Sequence, residues 1–373
     1  MQLSLSAPDI TDRERELVLQ VLNSPTLSIG PFIERFEHMI AQYTGRRHGV
    51  AVANGTCGLH LCMKAAGIEE GDEVITTPFS FVASANCILY ERARPAFVDI
   101  DPNTLNMDPA RVQENIGPRT KAILPVHVFG QPCFMPELME IAERHGLKVI
   151  EDACEALGAE TDGRKAGAFG DYAVFSFYPN KQATTGEGAV VVTDDDKADE
   201  LVRSLRNQGR DHAGTWLSHV RLGYNYRLDE LSAALGVTQL ERLEELLEKR
   251  DRVAQAYNER LRDVEGVRVP FISPRTTRMS WFVYVVQLLP NVDRDAVMAK
   301  LATEGVPTRP YFTPIHLQPF YRDMFGFAEG DFPITEAVAR GVLALPFHGK
   351  MNDGEIDFAC ERLAAAVGSS IRS

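Results

Sequence analysis

Among the six cysteines, at positions 57, 62, 87, 133, 154 and 360, no two stand in a C-x-x-C spacing, and none has a neighbouring histidine pattern. That excludes the common zinc modules, so no metal is expected and the thiols are read as reduced and mostly buried. Positive charge is also short: 39 Lys and Arg against 52 Asp and Glu give a formal charge of -13. A phosphate-backbone surface needs clustered cations, so no nucleic-acid partner is expected. The basic residues are dispersed among acids, as in Glu241 to Arg252, a mixture that reads as a solvated helix face. No apolar run approaches a membrane span, and MQLSLSAPDITDRE lacks the basic-then-apolar order of an export signal. A cytoplasmic chain without a membrane partner is the expectation, and the glycosylation-like Asn54-Gly55-Thr56 then carries no weight. Internal repeats and low-complexity segments are missing too, which excludes a solenoid.

What is present is an α/β alternation over about residues 48 to 195. Apolar runs at 49–53, 73–76, 95–99, 120–125, 148–150, 172–177 and 189–193 predict seven strands. Several are apolar at consecutive positions, as expected for strands of a mostly parallel sheet buried on both faces. Segments 57–66, 83–91 and 135–145 predict helices between them. From Leu228, LDELSAALGVTQLERLEELLEKRDRVAQAYNERL repeats at helical spacing and turns strongly charged midway. The domain change is placed there, giving a large unit over 1–245 and a smaller α/β unit over 246–373. In the second unit, 281–289 and 307–312 predict strands, and 293–304 and 355–367 predict helices.

Four stretches carry chemistry. In YAVFSFYPNKQATTGEGAVVVTD, from Tyr172, two strands flank a polar loop holding Lys181. A loop lysine is usually only solvated, but Ser176 at the strand end and the Gly186-Glu187-Gly188 turn allow a close backbone approach. Partial burial disfavours the ammonium and would let the amine form an imine with an aldehyde. In KVIEDACEALG, from Lys148, a strand ends in Glu151 and Asp152, where open α/β sheets bind ligands. Asp152 serves equally as a helix N-cap or as the partner of a pyridinium nitrogen. In VAVANGTCGLHL, from Val50, free amides at a helix start and the Thr56 hydroxyl form a phosphate cradle. TPFSFVASAN, from Thr77, sets Phe79 and Phe81 at alternating positions, either in the core or stacked on a flat ring. There is no Rossmann glycine pattern. GAETDGRKA only grazes the P-loop spacing, with Arg164 where its lysine belongs.

In this order the four stretches resemble the DegT/DnrJ/EryC1/StrS family of sugar aminotransferases, of the aspartate-aminotransferase fold type (fold type I). The resemblance extends through SIGPFIERFE, EEGDEVITTPFSF, ARPAFVDID, PVHVFGQP, GYNYRLDELSAALGVTQL and YFTPIHLQPFY. It implies pyridoxal 5'-phosphate held as a Schiff base on Lys181, which also shuttles the proton. It implies Asp152 opposite the pyridine nitrogen, Phe81 on the ring, and Gly55, Thr56 and Ser176 on the phosphate. Asn225 matches a phosphate ligand supplied by a neighbouring subunit, implying a homodimer with shared active sites. His316 resembles a sugar-side histidine and Arg227 a grip on the donor's carboxylate, although a structural histidine and a plain salt bridge explain these two as well. Glu155 stands where many members have glutamine near the cofactor's phenolic oxygen, as in perosamine-synthase-like members. GEGA replaces GEGG at Ala189, and Gly58 replaces an alanine, changes that bear on local packing alone.

The expected activity is amino transfer from glutamate to a nucleotide-linked keto sugar such as a 4-keto-6-deoxyhexose. The competing expectations are a sugar 3-dehydratase, against which Lys181 argues because such relatives carry histidine there, and a cofactor-binding regulator without catalysis. A desulfurase would need a reactive cysteine in a mobile loop, and Cys154 lies in a strand-helix turn.

Overall fold

A computed structural model describes residues 1–211 and 217–370. Its main sheet contains β1 (His48–Val52), β2 (Glu73–Thr76), β3 (Arg94–Phe97), β4 (Thr120–Ile123), β5 (Lys148–Asp152), β6 (Tyr172–Ser176) and β7 (Ala189–Thr193). All seven strands read from the sequence are there. Their order is β1-β7-β6-β5-β4-β2-β3. Only β7 runs against its neighbours, β1 and β6; the other pairs are parallel.

Side chains alternate across the sheet, and each face meets its own core. Val50, Val52, Ile150, Val174 and Val191 pack on one side with Leu59 and Met63 of helix Gly55–Ala65. Ala51, Ala173, Phe175, Val190 and Val192 pack on the other with Phe36 and Ile40 of helix Pro31–Thr44. Both faces are covered, so every residue of β7 is buried, and its AVVVT sequence carries no polar residue until its end. Gly58, one of the departures from the family pattern, is required here: a Cβ would lie 2.7 Å from Val174 Cγ1.

A second core runs from Val253 to Val367 and includes Leu3 near the N-terminus. It surrounds an antiparallel sheet of Val267–Arg268, Tyr284–Leu288 and Val342–Leu345. The long helical pattern from Leu228 is two helices, Glu230–Glu241 and Leu243–Leu261, broken at Arg242, whose guanidinium bonds Glu14, Glu245 and Asp9. Two sequence expectations are corrected here. The stretch 307–312 is not a strand; Pro307 and Pro310 have no amide to donate, and one bridge from Arg309 to Ala344 is all it makes. The missing third strand is Val342–Leu345. Nor is Glu241 to Arg252 wholly a solvated face, because Leu243, Leu246, Leu247 and Arg250 are buried. Among the described residues no helix is long and apolar enough to cross a membrane.

Candidate active site

The carboxyl ends of the parallel strands open on a cavity of about 780 Å³. Helix Gly55–Ala65 begins there after β1, Asp152 ends β5, Ser176 ends β6, and the loop from β6 to β7 brings Lys181. This end of the sheet gathers the site because β7 reverses: the chain must turn back over the cavity between Phe177 and Gly188. The turn is pinned by the Phe177 amide donating to the Gly188 carbonyl at 2.9 Å and the Thr185 amide donating to the Phe177 carbonyl at 2.9 Å. Gly188, at φ +157°, has no room for a Cβ against the Thr185 hydroxyl.

Asp152 is buried, and its carboxylate is held from two sides. Ser84 Oγ donates to Oδ2 at 2.7 Å, backed by Ser80 Oγ at 2.8 Å from Ser84 Oγ, and the Cys154 amide donates to Oδ1 at 3.2 Å. Glu151, one residue earlier, points to the opposite face. It accepts from the amides of Gly167, Phe169 and Gly170 and pairs with His127. Burial pushes its carboxyl up, but His127 and these amides outweigh burial and hold it below the usual range. The strand's alternation therefore assigns one acid to the fold and the other to the cavity.

Asn54 caps the helix at Gly55, its side chain accepting from the Cys57 amide at 2.9 Å. The first amides of a helix have no carbonyl one turn back, so those of Gly55 and Thr56 are available to an anion. A Cβ on Gly55 would lie 3.0 Å from Cys154 Sγ and 3.4 Å from Ser176 Cβ. Glycine thus lets the helix start sit against Cys154 without displacing its sulfur.

Lys181 Nζ lies 3.5 Å from Glu155 Oε1 and 3.7 Å from the centre of the Phe282 ring. Glu155 Oε2 accepts from the Phe129 amide at 2.9 Å. Burial raises the Glu155 carboxyl above its ordinary value, against the pull of Lys181 and the Phe129 amide and with a further push from Asp152. Phe81, 62% exposed, lines the cavity, whereas Phe79 is wholly buried in the core. A flat, phosphorylated pyridine aldehyde fits this set: an amine for the aldehyde, a buried acid for the ring nitrogen, an exposed aromatic face and an open helix start. The volume leaves room for a second molecule.

Seven sequence-read site residues thus divide from three others. Gly55, Thr56, Phe81, Asp152, Glu155, Ser176 and Lys181 line one cavity, and Cys154 of the β5 turn lines it beside them. Asn225 is exposed and outside it, bridging to Asn207, and Arg227 donates to Asn207 Oδ1 at 2.9 Å. His316 is wholly buried away from the cavity lining, with Nε2 3.1 Å from Glu336 Oε1 and its ring against Phe332. Of the two readings that the sequence left open for His316, its surroundings of a carboxylate and an aromatic cluster match the structural one. Sequence reasoning missed Ser84, Phe282, Tyr90, Tyr226, Tyr311 and Phe312. Ser84 stands inside the quoted TPFSFVASAN stretch, Tyr226 inside GYNYRLDELSAALGVTQL, and Tyr311 and Phe312 open YFTPIHLQPFY, while Phe282 had no such signal.

A model of the DegT/DnrJ/EryC1/StrS aminotransferase family matches residues 8–364. The chain is 42% identical to a GDP-perosamine synthase of Caulobacter vibrioides over 95% of this chain and 96% of the relative. It resembles the X-ray crystal structure of S. venezuelae DesV in complex with a ketimine intermediate, with TM-score 0.89, 34% identity and 95% and 94% of the two chains covered. It also resembles Spr1654 of Streptococcus pneumoniae in its PMP form, with TM-score 0.93, 25% identity and 98% and 99% covered.

Proposed function

The chain belongs to the DegT/DnrJ/EryC1/StrS aminotransferase family, whose cofactor is pyridoxal 5'-phosphate, and from that premise we propose a cytoplasmic homodimer that transfers an amino group from glutamate to a GDP-linked 4-keto-6-deoxyhexose. The choice of GDP follows the similarity to a GDP-perosamine synthase, and the 4-keto-6-deoxyhexose is the acceptor expected from the sequence. The observation that carries the reading is the convergence of Lys181, Asp152 and the helix start at Gly55 on one cavity.

When bound, pyridoxal 5'-phosphate supplies an aldehyde that exchanges amines and a protonated ring that withdraws electrons. The Gly55 and Thr56 amides, with the Thr56 and Ser176 hydroxyls, would hold its phosphate. Asp152, kept in place by Ser84 and the Cys154 amide, would keep the proton on the ring nitrogen. Phe81 would cover a ring face. Lys181 Nζ would hold the aldehyde carbon and, once displaced by an amino donor, move a proton at the substrate carbon.

Lys181 is the one Lys or Arg lining the cavity among the described residues, beside Asp152, Glu155 and Glu187. A nucleoside diphosphate sugar needs more donors than that. In a shared-site dimer, a second copy would present its exposed Asn225 to the cofactor's phosphate, and Arg227 would grip the donor's carboxylate.

The test is a two-stage turnover. Glutamate should convert the bound aldehyde to the amine form with release of 2-oxoglutarate, and the GDP-linked keto sugar should restore the aldehyde form. Lys181→Ala should abolish both stages. Loss of water from the sugar without consumption of glutamate would favour the dehydratase instead, and a bound cofactor inert to every amino donor would favour the regulator.

A further inference from the structure

Arg250 lies in helix Leu243–Leu261, within a run of acids and bases, yet it is only 5% exposed. Among the described residues it forms no ion pair with a carboxylate. Its guanidinium is spent on four backbone carbonyls in two separate segments. Nη2 donates to the Lys181 carbonyl at 2.7 Å and the Asn180 carbonyl at 3.3 Å. Nη1 donates to the Trp281 carbonyl at 3.3 Å and the Phe282 carbonyl at 3.2 Å.

The two segments meet again at their side chains, because the Phe282 ring lies 3.7 Å from Lys181 Nζ. Burial draws the guanidinium down to about 10, so it stays charged at neutral pH. A buried cation without a carboxylate is expensive, and an apolar side chain of like volume would stabilise a core at lower cost. Only a planar fork reaches both segments at once; an ammonium is a single point of donation.

We propose that Arg250 is a positioning residue for Lys181, tying the lysine's backbone to the backbone of the ring its amine rests on and so fixing where Nζ enters the cavity. This rests on the reading of Lys181 as the cofactor-bearing lysine.

The test uses the full chain freed of cofactor, with Arg250→Lys, which keeps the charge but not the fork. On adding pyridoxal 5'-phosphate, the Lys181 amine nitrogen replaces the aldehyde oxygen, which leaves as water. Borohydride then adds hydride to that carbon while solvent protonates the nitrogen, and mass spectrometry of the Lys181 peptide reads the fixed product over time. Pyridoxamine 5'-phosphate, which has no aldehyde, reports the rest of the site. Misaiming the amine predicts attachment slowed about tenfold, with pyridoxamine 5'-phosphate affinity within about twofold of wild type. Attachment at the wild-type rate, a parallel fall in both quantities, or loss of fold by circular dichroism would each overturn the proposal. Absence of any adduct at Lys181 in the wild-type chain would instead bring down the underlying reading, so the two failures are distinguishable.

Discussion

Lys181 Nζ lies 3.5 Å from Glu155 Oε1, with 12% and 10% of the two side chains exposed. Glu155 is buried beside Asp152, and burial raises its carboxyl despite Lys181 and the Phe129 amide. A raised carboxyl favours the folded state while protonated. That contribution is full below the ordinary value of 4.5 and is lost as pH rises through the raised value. In cofactor-free protein, Glu155→Gln should therefore gain stability relative to wild type as pH climbs through that window. Urea midpoints measured across it check this, and parallel curves for the two proteins would refute it.

Ser84 is the hydroxyl donor to Asp152, at 2.7 Å. Ser84→Ala removes a hydrogen bond to a buried carboxylate, a loss of about 1.5 kcal/mol or roughly tenfold in rate. The loss should fall on the glutamate half-reaction, measured by stopped-flow absorbance, because the carboxylate's hold on the ring proton matters most while electrons move toward the ring. An unchanged rate would separate Ser84 from the chemistry.

Gly55 brings the helix start against Cys154 and Ser176, and an added Cβ would stand 3.0 Å from Cys154 Sγ. Gly55→Ala should weaken pyridoxal 5'-phosphate binding about tenfold, or ~1.4 kcal/mol, by pushing the amides off the phosphate. The helix itself tolerates alanine, so the cofactor-free melting temperature should hold. Equilibrium titration together with thermal melts distinguishes a spoiled cradle from a spoiled fold.

Much of the site was legible because its parts are local. A strand ending in Glu151-Asp152, a strand followed by Asn-Gly-Thr, and a lysine between two apolar runs each occupy a dozen residues or fewer, and alternation says which side chains share a face. Glu230 shows the limit. Its carboxylate accepts from the amides of Gly30, Phe32 and Ile33 and so caps helix Pro31–Thr44 across about two hundred positions. SIGPFIERFE and GYNYRLDELSAALGVTQL both carry the family resemblance, but nothing in either says that they meet.

The sequence by itself determined the seven strands, the loop that carries Lys181 and the open helix start at Gly55, since hydrophobic period and turn chemistry act between near neighbours. Tertiary structure alone decided that Arg250 is buried on four carbonyls, that His316 is closed off against Glu336, and that Phe282 reaches Lys181. Whether a charged or aromatic side chain ends in water or inside depends on the partners that repay its desolvation, and those arrive from segments far along the chain.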